Sequence, residues 1–236
     1  MKLSKATLTV LKSFSEINPN CLFRKGTVLA TVNESKSFVA EATIEDTIED
    51  EFGIYNVKEF LSALSIIDAP QIAVNGKTLV ITDENSNAKV KYGCADASIL
   101  TLPPADGIKM PEADASFTIT ADILTQIVSA AASLNLGKAG KICISGSAGA
   151  ASLDIAVESG DGSTRNTFVT DINQDVTVSE GLESFTAEFP VDLFMMVRGD
   201  YAVQISRGGI TQWDHTAEPI KYWVATSKTS EFTSAK

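Results

Sequence analysis

The chain has 236 residues, of which 19 are basic and 30 acidic, giving a net charge of −11 with 44% apolar residues. That balance argues against a broad basic surface wrapped around nucleic acid but leaves room for a local basic face. Three scattered cysteines, Cys21, Cys94 and Cys143, lack metal-ligand spacing and supply no disulfide framework, as expected for a reducing cytoplasm. No apolar run reaches the ~20 residues that span a bilayer, and the first five residues lack the apolar core of a signal peptide, so no membrane partner is expected.

A first amphipathic helix is predicted over residues 4–17, with Leu3, Ala6, Val10, Phe14 and Ile17 in one stripe and Leu11 at its edge. Leu8 falls outside that stripe. Opposite it lie Lys5, Thr9, Lys12 and Glu16. Lys5 and Lys12 are seven apart, so they point the same way with roughly 10 Å between them along the axis. Pro19 stops the helix. Alternation predicts strands at 21–24, 27–32, 37–43 and 51–55. A second helix over 57–67 turns Phe60, Leu61, Leu64 and Ile67 inward and Lys58, Ser62 and Ser65 outward. Strands at 71–74 and 77–82 then flank Asn75-Gly76, a pair suited to a type I′ turn. Another turn near 83–87 precedes a strand at 88–92.

Residues 93–115 break the pattern. Pro103, Pro104, Pro111, Asp106 and Gly107 mark a connector, yet Ile99, Leu100, Leu102, Ile108 and Met110 imply that part of it lies on a surface. The order of elements then restarts. A helix over 121–134 has the stripe Ile123, Ile127, Ala130, Ala131 and Leu134, and an opposite face of Asp122, Thr125, Ser129, Ala132 and Ser133 that is small and polar but not basic. Strands are predicted at 141–145, 151–157, 166–172, 176–178 and 185–189, followed by a short helix over 190–197 ending near Arg198. A hairpin over 201–206 and 210–213 turns at Gly208-Gly209, a last strand spans 221–226, and 227–236 reads as a frayed tail. The architecture is therefore α+β, two duplicated units divided as 1–108 and 109–236. Two equivalent units in one chain favour pseudo-symmetric assembly.

Motifs that suggest chemistry are incomplete. Gly76-Lys77-Thr78 lacks the earlier glycine of a phosphate loop, with Gln71 in its place, and sits in a hairpin. Asp171-Ile172-Asn173-Gln174-Asp175 opens like a calcium loop, but Val176 and Leu182 occupy the required glycine and glutamate positions. Glu45-Asp46 and Glu49-Asp50-Glu51 read as a solvated acidic edge that also discourages strand pairing. His215 is the only histidine, on a turn after a strand, and no nucleophile-elbow sequence accompanies it. These absences point away from an enzyme, and neither a metal nor a cofactor is expected. What remains is positive charge on helix faces: Lys5, Lys12 and Lys58 point away from their apolar stripes.

Met1-Lys2-Leu3-Ser4-Lys5, then Leu11-Lys12 and Phe14, resemble the opening of the sliding DNA clamps of large tailed phages. The likeness continues through Phe38-Val39-Ala40-Glu41-Ala42, Ile54-Tyr55, Phe60-Leu61 and Leu64-Ser65, with Gly199-Asp200-Tyr201 as a late echo. The resemblance implies two domains of the proliferating-cell-nuclear-antigen type in a homotrimeric ring, antiparallel sheets outside and four helices per chain lining the hole. Duplex DNA passes through without sequence recognition. An ATP-driven clamp loader opens the ring, the DNA polymerase docks its C-terminal tail into an apolar pocket, and the clamp can support late viral transcription in the cytoplasm of the infected host. Carried over to this chain, Lys5 and Lys12 match basic positions of the hole lining; with Lys58 and Arg198 from the helix faces and Lys138 from the loop after the third helix, they make up the expected DNA-facing set. The family's basic positions on the third helix fall at Ser129 and Ala132, so Lys138 or Lys141 would have to compensate. The pocket would use Ile99, Leu100, Leu102 and Pro103, with Tyr92 and Trp223 as walls. Two rival readings are a ring-forming structural phage protein without DNA in its hole and a hydrolase built on His215.

Overall fold

The structure is a computed structural model and describes residues 1–134, 140–148, 153–159, 167–172, 176–191 and 195–234. The chain divides into two compact units, Met1–Gly107 and Ile108–Lys236.

In the first unit, helix α1 spans Lys5–Ile17. Ser4 caps it by accepting from the Thr7 N–H, while the Ser4 N–H itself donates to an Asp46 carboxylate oxygen at 2.7 Å. At the far end Asn18 bonds back to the Phe14 carbonyl, its side chain donates to the Val32 carbonyl at 2.6 Å, and Pro19 follows. The buried line is Leu3, Thr7, Val10, Leu11, Phe14 and Ser15, with Thr7 and Ser15 in place of Ala6 and Ile17 of the expected stripe; Ala6 is exposed and Ile17 half-buried. Thr7 and Ser15 can enter the core because the Thr7 hydroxyl meets Ser4 and the Ser15 hydroxyl donates to the Lys12 carbonyl.

Strands β1 (Cys21–Phe23) and β4 (Phe52–Ile54) pair antiparallel, as do β2 (Gly26–Val32) and β3 (Phe38–Ile48). β3 runs beyond the expected end at 43 and carries Glu45 and Asp46. Asp46 is thus a helix-capping group rather than part of a wholly solvated edge. Helix α2 (Val57–Ser65) is capped by Asn56 and buries Val57, Phe60 and Leu64. The Phe60 ring stands edge-on to Phe23 at 6.0 Å and Tyr92 at 5.5 Å, and Phe23 stacks on Phe52 at 4.5 Å. An antiparallel meander follows: β5 (Pro70–Asn75), β6 (Thr78–Asp83) and β7 (Lys89–Gly93). Asn75 pairs with Thr78, so the loop residues are Gly76-Lys77, with a left-handed φ of 59° at Gly76. Glycine at the first central position is the type II′ pattern, not the expected I′ turn on Asn75-Gly76.

The second unit repeats the plan. Strand β8 (Ala115–Ile119) leads into α3 (Ala121–Ser133), capped by Thr120 and burying Leu124, Ile127 and Ala131. Leu124 takes the core place expected for Ile123. One antiparallel sheet has the order β11 (Phe168–Ile172), β10 (Leu153–Ser159), β9 (Gly140–Ser147), β13 (Leu182–Pro190), β17 (Glu231–Ser234). The other contains β12 (Thr177–Val178), β8, β14 (Tyr201–Ser206), β15 (Ile210–His215) and β16 (Ile220–Ala225). Ser206 pairs with Ile210 across a three-residue loop whose Gly209 has a φ of 83°, the left-handed position such loops require. Trp213, Tyr201 and Tyr222 are fully buried, with Tyr201 edge-on to both neighbours.

Two expectations change. Pro190 still pairs with Lys141 in the β13–β9 ladder, and residues 195–197 are not helical, so the short helix does not have the bounds 190–197; residues 192–194 lie outside the described residues. The described residues hold three α-helices. The segment predicted as a frayed tail forms a turn and then β17, paired with β13. Lys138, residues 173–175 of the Asp-rich turn, and the expected strand starts at 151 and 166 also lie outside the described residues.

Candidate nucleic-acid interface

The solvent face of α1 follows from its buried one. With Leu3, Thr7, Val10, Leu11 and Phe14 inward, Lys5, Thr9, Lys12 and Glu16 are exposed on the opposite side. Among the described residues neither Lys5 nor Lys12 has a carboxylate within ion-pair distance. On α2, Lys58, Ser62 and Ser65 are exposed, and Lys58 Nζ lies 2.9 Å from the Glu16 carboxylate. The structure therefore brings Lys58 to the same helix face as Glu16, and Glu16 offsets its charge.

The hydroxyls on these faces are committed locally. Thr9 donates to the Lys5 carbonyl at 2.9 Å, Ser62 to that of Lys58 at 2.9 Å and Ser65 to that of Ser62 at 2.7 Å. On α3 the exposed residues include Asp122, Thr125, Ser129 and Ala132, with Thr125 donating to the Ala121 carbonyl at 2.6 Å. This face carries no cation. Arg198 is exposed in a bend, and its carbonyl lies 3.3 Å from His215 Nε2.

His215 is occupied structurally. Its Nδ1 accepts from the Ala217 and Glu218 N–H groups at 3.1 and 2.9 Å, which leaves Nε2–H to face the Arg198 carbonyl. None of these bonds reaches a serine or cysteine side chain. A Cβ on Gly199 would come within 2.0 Å of the ring, so glycine is what lets this bend approach the imidazole. Burial pushes the Cys21 thiol up to about 12, with Arg24 opposing, and burial also raises Cys94. Both thiols are therefore held protonated rather than as nucleophilic thiolates.

The apolar connector residues separate. Ile99 is 60% exposed beside a groove of about 510 Å³ in the first unit, lined also by Leu22, Phe52, Gly53, Lys77 and Cys94, with Glu51 and Asp96 on its walls. Leu100 is buried against Gly53, whose backbone pairs with Ala95. Leu102 is half-buried and Pro103 buried. Tyr92 packs on Phe60 and donates its hydroxyl to the Asn56 carbonyl at 3.2 Å. Trp223 belongs to the second unit, buried, with its ring N–H on Gln212 at 2.9 Å. Of the six expected pocket residues, Ile99 is the one on the groove wall. The groove also draws Leu22, Phe52 and Lys77 from distant parts of the chain, which no local sequence pattern reports.

Three comparisons with known proteins place the helix-and-sheet units among known folds and sequences. The model of the family described as DNA polymerase processivity factor matches residues 2–99. A sliding clamp of Vibrio phage KVP40 is 28% identical over 96% of this chain and 99% of its own length. A sliding clamp of Escherichia phage RB69 is 32% identical over 62% of this chain and 66% of its own. In fold, the chain is similar to the PCNA of Thermococcus kodakaraensis, with a TM-score of 0.65 at 12% identity over 94% of this chain and 96% of the other. The amino-terminal part of the chain thus matches the family of DNA polymerase processivity factors, and the chain as a whole is similar to phage sliding clamps.

Proposed function

We propose that this chain encircles duplex DNA and tethers the replicative polymerase for processive synthesis, working by topology rather than by catalysis. The observation that supports this most is the end-to-end match to a phage sliding clamp. Lys5 and Lys12, exposed and without ion-pair partners among the described residues, add a physical means of meeting phosphates without reading bases. A closed ring cannot leave DNA sideways, so weak and water-mediated phosphate contacts permit sliding while escape stays slow. The acidic remainder of a chain of net charge −11 discourages adhesion elsewhere.

The finer reading has three parts. The working form is a homotrimer, opened by an ATP-driven loader in the cytoplasm of an infected bacterium. The polymerase tail docks in the groove beside Ile99, where Leu22 and Phe52 offer apolar wall. The same docking could serve late viral transcription. The test is retention: after loading, the protein should remain longer on circular than on open-ended linear DNA. Equal retention would sink the topological reading, and a solution mass other than three chains would sink the trimer.

A further inference from the structure

Glu16 is the one acidic residue among the exposed residues of α1, and it stands on the same side as Lys5 and Lys12. At ~100° per residue, positions 5, 9, 12 and 16 fall within a narrow arc. Its carboxylate reaches across to α2, where Lys58 Nζ is 2.9 Å from each of its two oxygens. The two side chains come from positions 42 apart in sequence and are both more than half exposed, at 52% for Glu16 and 59% for Lys58. The pair is therefore open to solvent, where its contribution to stability is small. Its effect on the charge of the face is larger: three lysines and one glutamate share it, and the lysine nearest the glutamate is already engaged.

We infer that Glu16 limits the grip of this face on DNA by holding the Lys58 ammonium where a phosphate would otherwise bind. Two anionic oxygens on Lys58 present the chemistry of a backbone phosphate. A passing duplex must displace Glu16 to gain Lys58, and it then meets an uncompensated carboxylate. The unit thus offers two ready cations, Lys5 and Lys12, rather than three. This inference rests on the reading that the α1–α2 face meets duplex DNA.

The experiment measures binding of a short linear duplex, which can thread a closed ring without a loader, over a salt series. Wild type, Glu16→Gln, Lys58→Gln, the double variant and Lys12→Gln are compared. Glu16→Gln should bind severalfold tighter, with a slope of log affinity against log salt steeper by about 0.9 for each phosphate gained. Lys58→Gln leaves the Glu16 carboxylate unpaired and should bind no tighter than wild type, losing less than Lys12→Gln, and the double variant should lose the gain of Glu16→Gln. The inference is overturned if Glu16→Gln binds like wild type, if the double variant keeps the full gain, or if Lys58→Gln weakens binding as much as Lys12→Gln. If Lys12→Gln has no effect, the DNA-facing reading of this helix face fails, and the inference with it; the first three outcomes leave that reading standing.

Discussion

Lys141 on β9 and Glu188 on β13 meet at 2.8 Å, and the same carboxylate receives the Thr229 hydroxyl. The Glu188 N–H donates to Ser230 Oγ at 2.9 Å and its carbonyl accepts from Ser227 at 2.7 Å. One buried residue thus holds the turn that delivers β17. Burial alone would raise the Glu188 carboxyl, but bonds from Lys141 and Thr229, the Lys141 charge and Cys143 together bring it below its ordinary value. A lowered folded value means stability that is present above the unfolded value of about 4.3 and lost as pH falls through the folded one. Glu188→Gln should cost about 1–3 kcal/mol at pH 7 and flatten the loss of stability on acidification. Urea midpoints at pH 7 and pH 3 check this; parallel acid profiles for both proteins would contradict it.

Asp46 receives the Ser4 N–H at 2.7 Å, so a β-strand finishes the cap of the helix that carries Lys5. Asp46→Ala should destabilise by about 1 kcal/mol and speed amide exchange over residues 5–8. Unchanged exchange there would deny the strand its capping role.

Reversing two charges should separate function from folding. Lys5→Glu with Lys12→Glu should abolish processive synthesis or loading, while thermal stability stays within about 0.5 kcal/mol because both side chains are exposed. A primer-extension assay reads the first and a melting curve the second. Processivity equal to wild type would remove these lysines from the sliding surface.

Ile99→Asp tests the groove. The side chain is 60% exposed, so the fold should hold, while affinity for a polymerase C-terminal tail peptide should fall about tenfold or more, as for an apolar anchor at an interface. An unaltered dissociation constant would move the docking site elsewhere.

Legibility followed the range of the interaction. Helix α1 was readable because Ser4, the apolar spacing and Pro19 are local signals. Leu3, Val10, Leu11 and Phe14 are core as the spacing indicates, but Thr7 and Ser15 join them in place of Ala6 and Ile17 because they enter the interior only with nearby bonds satisfied, and composition ranks both as surface residues. The Gly76-Lys77 turn was misplaced by one because the pairing of Asn75 with Thr78 decides which residues form the loop. At the site, the exposure of Lys5 and Lys12 was visible from periodicity. The engagement of Lys58 by Glu16 was not, since 42 residues separate them and no single-helix pattern reports a neighbour. The groove likewise draws Leu22, Lys77 and Ile99 from three distant segments.

Thr9, Ser62, Ser65 and Thr125 all point their hydroxyl hydrogens back at their own helices. What they turn outward is oxygen lone pairs, which attract water and offer phosphate oxygens nothing to grasp. On the proposed reading that these faces meet duplex DNA, the consequence is lubrication: a hydration layer that shears, with the lysines as the main points of drag.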